Sequence, residues 1–319
     1  MLRQTWNAYR GWAKFARDQQ AATQRWNLAA LLFVIAAALL GAVSVALPDW
    51  RAGAALLAAL ASAVAAFLGR QIVGAGDEQK WIQARATAEG LKSECYLYGA
   101  RAGAYGAAAA DAAKGIADPA AAKAAADAAA ARKLAALSRE IVKQATDKGL
   151  VRADNPVPDS GDKREPPASM TKDWYKTGRI QDQIDYYREA RQKNQEAADK
   201  LWWLAFASGL AAIVFGGLGA LAQRFAPWIS AMTTLAAAIA GYGLVDRRKY
   251  LISSYFAMQS SLEQILGLDA EAPMNLADLV TTTEDLLDGE HKAWLPQMLA
   301  MQHQPQDKSQ QQAVGQGSA

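Results

Sequence analysis

Long apolar runs alternate with long polar stretches along the chain. An uncharged run from Leu28 to Leu47 is followed by a short polar turn at Pro48, and a second apolar run extends from Ala52 to Gly69. A helix of about 20 apolar residues crosses the roughly 30 Å hydrocarbon core of a bilayer. The two runs therefore predict a transmembrane helical hairpin.

The same arrangement recurs later in the chain. A third apolar run covers Leu201 to Ala222, a turn contains Pro227, and a fourth run covers Ile229 to Val245. Any single run could be a buried core helix, but four runs in two pairs favour membrane spans. The expected fold is all-α: an integral membrane protein with two transmembrane hairpins, four spans, and long cytoplasmic lead and exit helices around them.

Basic residues predict the orientation of these spans. The two short turns carry only Arg51 and Arg224, whereas many Lys and Arg residues flank the opposite ends of the runs. By the positive-inside rule, the N and C termini and the central region face the cytoplasm. A single cysteine, Cys95, suits a reducing compartment. A net charge of +3 gives no reason to expect a nucleic-acid partner.

Matching positions around the two hairpins indicate an internal duplication. Trp81 corresponds to Tyr255, and Glu89 corresponds to Glu263 at the same spacing. The expected organisation is a first two-span repeat at 1–110, an Ala-rich helical segment at 111–149, a linker at 150–170, a second two-span repeat at 171–268, short amphipathic helices at 269–301 and a disordered tail at 302–319.

The Ala-rich segment carries its own start and stop signals. Asp118 can cap a helix, Pro119 can occupy its first turn, and Gly149 can end it. Alanine is the strongest helix former, which favours a long helix here. Such a helix is either a spacer packed on its neighbours or a surface that binds a partner or another subunit.

Aromatic and charged residues recur in the polar helices beside the hairpins. Arg179, Gln183 and Tyr187 precede the second hairpin. The helix after the first hairpin carries Trp81, Arg85, Glu89, Lys92, Tyr96 and Tyr98. These motifs resemble the lead and exit helices of the SLATT family, which are two-span effector domains associated with SMODS nucleotidyltransferases and SLOG sensors.

The resemblance implies a bacterial membrane effector of nucleotide-signalled conflict or antiphage systems. It also implies a role in assembly or signal reception for the motif residues. The implied partners are the lipid bilayer of the inner (cytoplasmic) membrane, further copies of the chain in a homo-oligomer, and a nucleotide-signalling partner protein or second messenger. The first lead helix, around Phe15 and Arg17, matches the family pattern only loosely.

Catalytic and metal-binding patterns are absent from the sequence. It contains no phosphate-binding glycine loop and no nucleophile elbow, and no catalytic residue is assigned. His291 and His303 have no cysteine near them in sequence, and neither a metal site nor a cofactor is expected. The weakest alternative is a lipid-modifying enzyme that uses Glu89 as a base.

Small residues at four-residue spacing inside the spans, such as Ala212, Gly216 and Ala220, favour close helix approach. Four spans enclose little space, so a conducting path would need several subunits. The candidate pore-lining residues are Ser44, Ser62, Thr233, Thr234 and Arg70. The leading hypothesis is an oligomeric, pore-forming membrane effector, and the alternative is a passive membrane scaffold that holds a cytoplasmic partner.

Overall fold

The computed structural model describes residues 1–74, 77–150, 164–167, 170–241, 244–290 and 292 of the 319-residue chain. These residues form helices joined by turns, and no strand occurs among them, so the all-α expectation is confirmed. The helices are α1 (Leu2–Ala46), α2 (Arg51–Gly74), α3 (Asp77–Gly99), α4 (Ala104–Ala113), α5 (Pro119–Asp147), α6 (Lys172–Leu221), α7 (Ala226–Gly241), α8 (Leu244–Glu271) and α9 (276–290).

Several positions that the sequence singles out lie outside the described residues. They are most of the linker (151–163 and 168–169), His291, His303, the tail at 302–319 and the side chains of Arg70 and Arg224.

Three helices are long and apolar enough to cross a membrane: Leu2–Ala46, Pro48–Gly69 and Lys172–Leu221. The fourth apolar helix, Ala226–Ile239, is shorter. Large apolar side chains on these helices face outward in the single chain, and Ile213 and Leu221 are 73% and 85% exposed. Apolar surface of this extent is stable only against lipid or another protein surface. A membrane location follows for these helices.

Contacts divide the chain into two compact units. The core unit comprises the described residues within Met1–Gln19, Gln79–Tyr186 and Met258–Ala319. The hairpin unit comprises Gln20–Glu78 and Tyr187–Ala257. Helices α1, α6 and α8 contribute residues to both units, and each unit draws on both of the repeats that the sequence suggests.

Short 3-10 turns close the two hairpins of the hairpin unit. Pro48–Trp50 joins α1 to α2, and Gln223–Phe225 joins α6 to α7. Phe215 stacks on Phe225 and Trp228, with ring centroids 6.5 and 6.0 Å away, which fixes the second turn. The buried positions of this unit are mostly small, as the small-residue spacing predicts, and they include Ala42, Ala54, Ala61, Ala212 and Ala231.

Aromatic side chains and one long alanine-rich helix build the core unit. The Asp118 carboxylate accepts hydrogen bonds from the amides of Ala120 and Ala121 and caps α5, and Gly149 follows the helix with a φ of +78°. Both signals were readable in the sequence, and the predicted α5 is confirmed. Leu134 on its inner face is fully buried with Tyr105.

Candidate functional site

Three of the motif residues, Lys92 and Tyr96 of α3 and Arg179 of α6, are brought together in the core unit. Each is at most 3% exposed. The Arg179 guanidinium carbon lies 4.7 Å from the centre of the Tyr96 ring, a cation–π contact. The electrostatic influence of Arg179 also reaches Lys92. Up to 87 positions separate these residues in the sequence, and the fold brings them together in one cluster.

Arg179 forms a bidentate ion pair with Glu284 of α9. Its Nε and Nη2 atoms donate to Oε1 and Oε2 of Glu284, each at 2.9 Å, and the two side chains are 2% and 1% exposed. The Tyr175 hydroxyl donates to the same Oε1 atom at 2.9 Å. Burial alone would lower the pKa of Arg179, but the Glu284 carboxylate holds it well above its usual value. Arg179 therefore stays charged and paired with Glu284 inside the unit.

Aromatic rings pack beside this ion pair, around Tyr96. Tyr96 contacts Trp6 and Tyr175 edge-on, with centroids 6.0 and 5.8 Å away, and lies 6.3 Å from Trp174. The Tyr96 hydroxyl donates to the carbonyl oxygen of Arg164 at 2.9 Å. Burial raises the pKa of Tyr96 and of Tyr175, so both remain neutral hydrogen-bond donors.

Lys92 is a buried ammonium with a weak partner. Its Nζ atom lies 3.9 Å from Oε2 of Glu89, whose side chain is 25% exposed, and 5.6 Å from the centre of the Tyr9 ring. Burial, followed by repulsion from Arg179, lowers the pKa of Lys92 to about 8. Glu89 and Lys92 are three residues apart and share one helical face, and the structure buries the lysine end of this pair while Glu89 stays partly exposed.

The start of α6 contains a π-helical turn that carries Arg179. The turn covers Lys176–Gln181 and follows one ordinary turn capped by the Thr171 hydroxyl. Single π turns inside α-helices occur frequently at functional sites, because the extra residue redirects side chains. Here the turn buries Arg179 and Ile180.

A second ion-pair group fixes the same turn of α6 to the end of α8. Asp269 accepts from Lys172 Nζ at 2.6 Å, pairs with Lys176, and accepts from the amide of Met274 at 2.8 Å. Lys172 also donates to the Met274 carbonyl oxygen at 2.7 Å. The hydrogen bonds from Lys172 and Lys176 hold the pKa of Asp269 well below its usual value.

The remaining motif residues occupy other places. Trp81 is buried, Gln183 is 9% exposed, and Arg85 donates from Nη2 to the Tyr186 hydroxyl at 2.8 Å. Tyr98 contacts Tyr105 edge-on and packs under Arg101, away from Arg179. Tyr187 belongs to the hairpin unit, where its ring lies 5.7 Å from that of Tyr255.

Comparison with known families matches each half of the chain to a different model. Residues 175–294 match the SMODS and SLOG-associating 2TM effector domain 1, SLATT_1. The second half of the chain is SLATT-like. Residues 4–112 match DUF4231, a protein of unknown function. Because the two models differ, two tandem copies of one family are not shown. No curated protein and no solved structure matches the chain.

The ion-pair cluster combines both matched segments. Tyr175, Arg179 and Glu284 come from the SLATT-like segment, and Trp6, Lys92 and Tyr96 come from the other. The general kind of protein, a membrane effector, follows from the SLATT_1 match together with the apolar helices.

The candidate pore-lining residues are distributed over the hairpin unit. Ser44 and Thr233 use their hydroxyl protons within their own helices, donating to the carbonyl oxygens of Gly41 at 2.8 Å and Ile229 at 3.0 Å. Ser62 and Thr234 are exposed in the single chain, and the Arg70 side chain is outside the described residues. Ser62 and Thr234 are therefore available to lipid or to another subunit.

Three residues were not identified from the sequence: Trp6 and Glu284 of the cluster, and Asp269 of the second ion-pair group. Glu284 belongs to the SLATT-like segment but lies in a helix that the sequence suggested only as amphipathic. The one available signal is a carboxylate on the apolar face of that helix, between Leu279 and Leu287.

Proposed function

We propose that the chain is an oligomeric membrane effector that permeabilises a bacterial inner membrane in a nucleotide-signalled conflict system. The observation that carries the proposal is the exposed apolar surface of α1, α2 and α6 in a chain whose second half matches an effector domain. In this proposal the chain crosses the membrane four times, with α7 as the shortest span, and both termini lie in the cytoplasm. The cluster around Arg179 receives or transmits the activating signal, and the chain carries out no catalysis.

Small residues on α6 supply the contact between subunits in this proposal. Within the described part of the chain, a Cβ atom added at Gly216 would meet no atom within 4 Å outside its own helix turn. A larger side chain there leaves the single hairpin undisturbed but obstructs a neighbouring helix that approaches closely. Replacement of Gly216 therefore tests the contact between subunits without disturbing the fold of one chain.

The test uses the full chain reconstituted into vesicles of phosphatidylethanolamine and phosphatidylglycerol that contain a trapped dye. Leakage should rise more steeply than linearly with protein density, and Gly216→Leu should reduce both leakage and the oligomer mass in detergent. The matched control is Ile213→Leu, an apolar exchange at an exposed position of the same helix. Vesicles that stay tight at every density, with a monomeric chain in detergent, would remove the proposal.

The scaffold alternative has one observation in its favour. Helices α1 and α5 of the core unit line an open cavity of about 530 Å3, and Arg139 and Lys143 are among its lining residues. A basic cavity of this size can accept an acidic partner segment. A passive scaffold would bind such a partner and leave the vesicles intact, so the leakage assay separates the two functions.

A further inference from the structure

Helix α9 has an acidic surface and an apolar face. Residues 276–290 include five carboxylates and no Lys or Arg. The buried face carries Leu279, Val280, Thr283, Glu284 and Leu287, each at most 2% exposed. Glu284 is thus the one charged residue of α9 that is placed among its buried apolar positions.

The start of α6 presents the complementary charge. Lys172, Lys176 and Arg179 lie within its first turns, and Arg179 holds Glu284 in the bidentate pair described above. The segment between α8 and α9 is short and non-helical, at residues 272–275, and Lys172 and Asp269 hold it through the backbone of Met274. The segment before α9 is therefore anchored, while the attachment of the middle of α9 to α6 depends on Glu284.

A buried ion pair contributes little net stability to a fold. Replacing such a pair with apolar residues of similar volume is often neutral or stabilising, whereas removing one partner costs about 3–5 kcal/mol, because the other charge remains buried. The geometry suits a contact that must be specific and reversible. The π-helical turn that presents Arg179 is a second feature common at functional sites.

We propose that α9 is an autoinhibitory strap, and that the Arg179–Glu284 contact holds it on the first turns of α6 in the resting chain. Helix α6 runs without a break from Lys172 to Leu221, so the residues under the strap belong to the same helix as an apolar span. Release of α9 frees the start of α6 and switches the effector on. The inference rests on the proposed permeabilising function and adds its regulation.

The chain supplies two reporters for a test by thiol labelling. Thr283→Cys introduces a thiol on the buried face of α9 at the cost of one methyl group, and the native Cys95 is fully buried in α3. After brief exposure of the reconstituted chain to a maleimide, peptide mass spectrometry measures each cysteine separately. Labelling at position 283 reports release of α9, and labelling of Cys95 reports unfolding of the core unit.

Glu284→Gln should speed labelling at position 283 by at least about tenfold, the factor that corresponds to about 1.4 kcal/mol. Tyr175→Phe, which removes one hydrogen bond to Glu284, should give a smaller increase in the same direction. Cys95 labelling should stay unchanged in both variants. The matched control is Asp285→Asn, which makes the same kind of charge change at the next, exposed residue of α9 and should label as the parent does.

Dye leakage from the same vesicles then tests inhibition. Glu284→Gln should leak at a lower protein density than the parent chain or Asp285→Asn. Unchanged labelling at position 283 in both Glu284→Gln and Tyr175→Phe would overturn the strap, as would faster labelling without extra leakage while the parent leaks at high density. If no chain leaks at any density, the permeabilising function fails and autoinhibition fails with it, while labelling still reports whether Glu284 holds α9.

Discussion

Arg179 and Glu284 lie 105 residues apart in sequence and form a bidentate ion pair, with both N–O distances at 2.9 Å, inside the core unit. The pair connects the first turns of α6 to α9, and its position under Tyr96 brings α3 into the same cluster. The proposed release of α9 therefore requires this one buried pair to separate, while the Asp269 group holds the segment before α9.

The coupling between the two charges can be measured with a double-mutant cycle. Arg179→Met or Glu284→Leu alone should lower the free energy of unfolding of the core unit by about 3–5 kcal/mol, because each leaves a buried charge unpaired. The double variant should recover most of this loss. Thermal unfolding in detergent at fixed pH provides the measurement, and additive single effects would show that the two side chains are not energetically coupled.

Local features of the fold were accessible from the sequence. The Asp118 cap, Pro119 in the first turn and the positive φ of Gly149 depend on neighbouring residues alone, so the bounds of α5 were predicted almost to the residue. The apolar runs predict their helices for the same reason, since length and composition decide whether a helix can cross a bilayer.

The ion-pair cluster depends on long-range packing and could not be predicted in that way. Glu89 and Lys92 three residues apart look the same whether the pair is solvated or buried, and only the packing of α3 decides between them. Arg179 belongs to a family-like motif, but no local motif in the sequence identifies Glu284 as its partner. The helical period alone places Glu284 on the apolar face of α9.

The N-cap of α5 gives a prediction that concerns local structure alone. Asp118→Ala should lower the free energy of unfolding by about 1 kcal/mol, since the amides of Ala120 and Ala121 lose their acceptor. Asp147→Ala at the other end of the helix is the control, because a carboxylate near a helix C-terminus is not favoured by the helix dipole. Its effect should be neutral or slightly stabilising. Hydrogen exchange of the first α5 amides locates the loss, and equal effects at both ends would contradict the capping role.

The lowered pKa of Lys92 predicts that the stability of the core unit depends on pH. The pKa of Lys92 is about 8 in the folded chain, against an ordinary lysine value of 10.5 that applies to the unfolded chain. Below pH 8 the amine is protonated in both states and the fold carries the full cost of the buried charge. Between about 8 and 10.5 the unfolded chain binds more protons, so the contribution of Lys92 to stability rises with pH.

Lys92→Met should therefore stabilise the core unit at pH 7, by up to about 3 kcal/mol, and the gain should shrink as the pH approaches 10.5. Methionine fills a similar volume without a charge. The matched control is Lys143→Met, at an exposed position of α5, which should show no such dependence. Thermal midpoints at several pH values provide the measurement. A gain for Lys92→Met that does not change with pH would exclude the buried charge as its cause.

The proposed four-span topology predicts which residues can be labelled from outside an intact cell. Single cysteines at Asp49 and Gln223, in the two hairpin turns, should react with a membrane-impermeant maleimide. A cysteine at Asp285, on the exposed surface of α9, should react only after the membrane is permeabilised. The parent chain is a suitable background, since its one cysteine is buried. The Gln223 position is decisive, because α7 is shorter than the other apolar helices. Protection of that cysteine alongside a reactive one at Asp49 would show that the second hairpin does not reach the far side of the membrane.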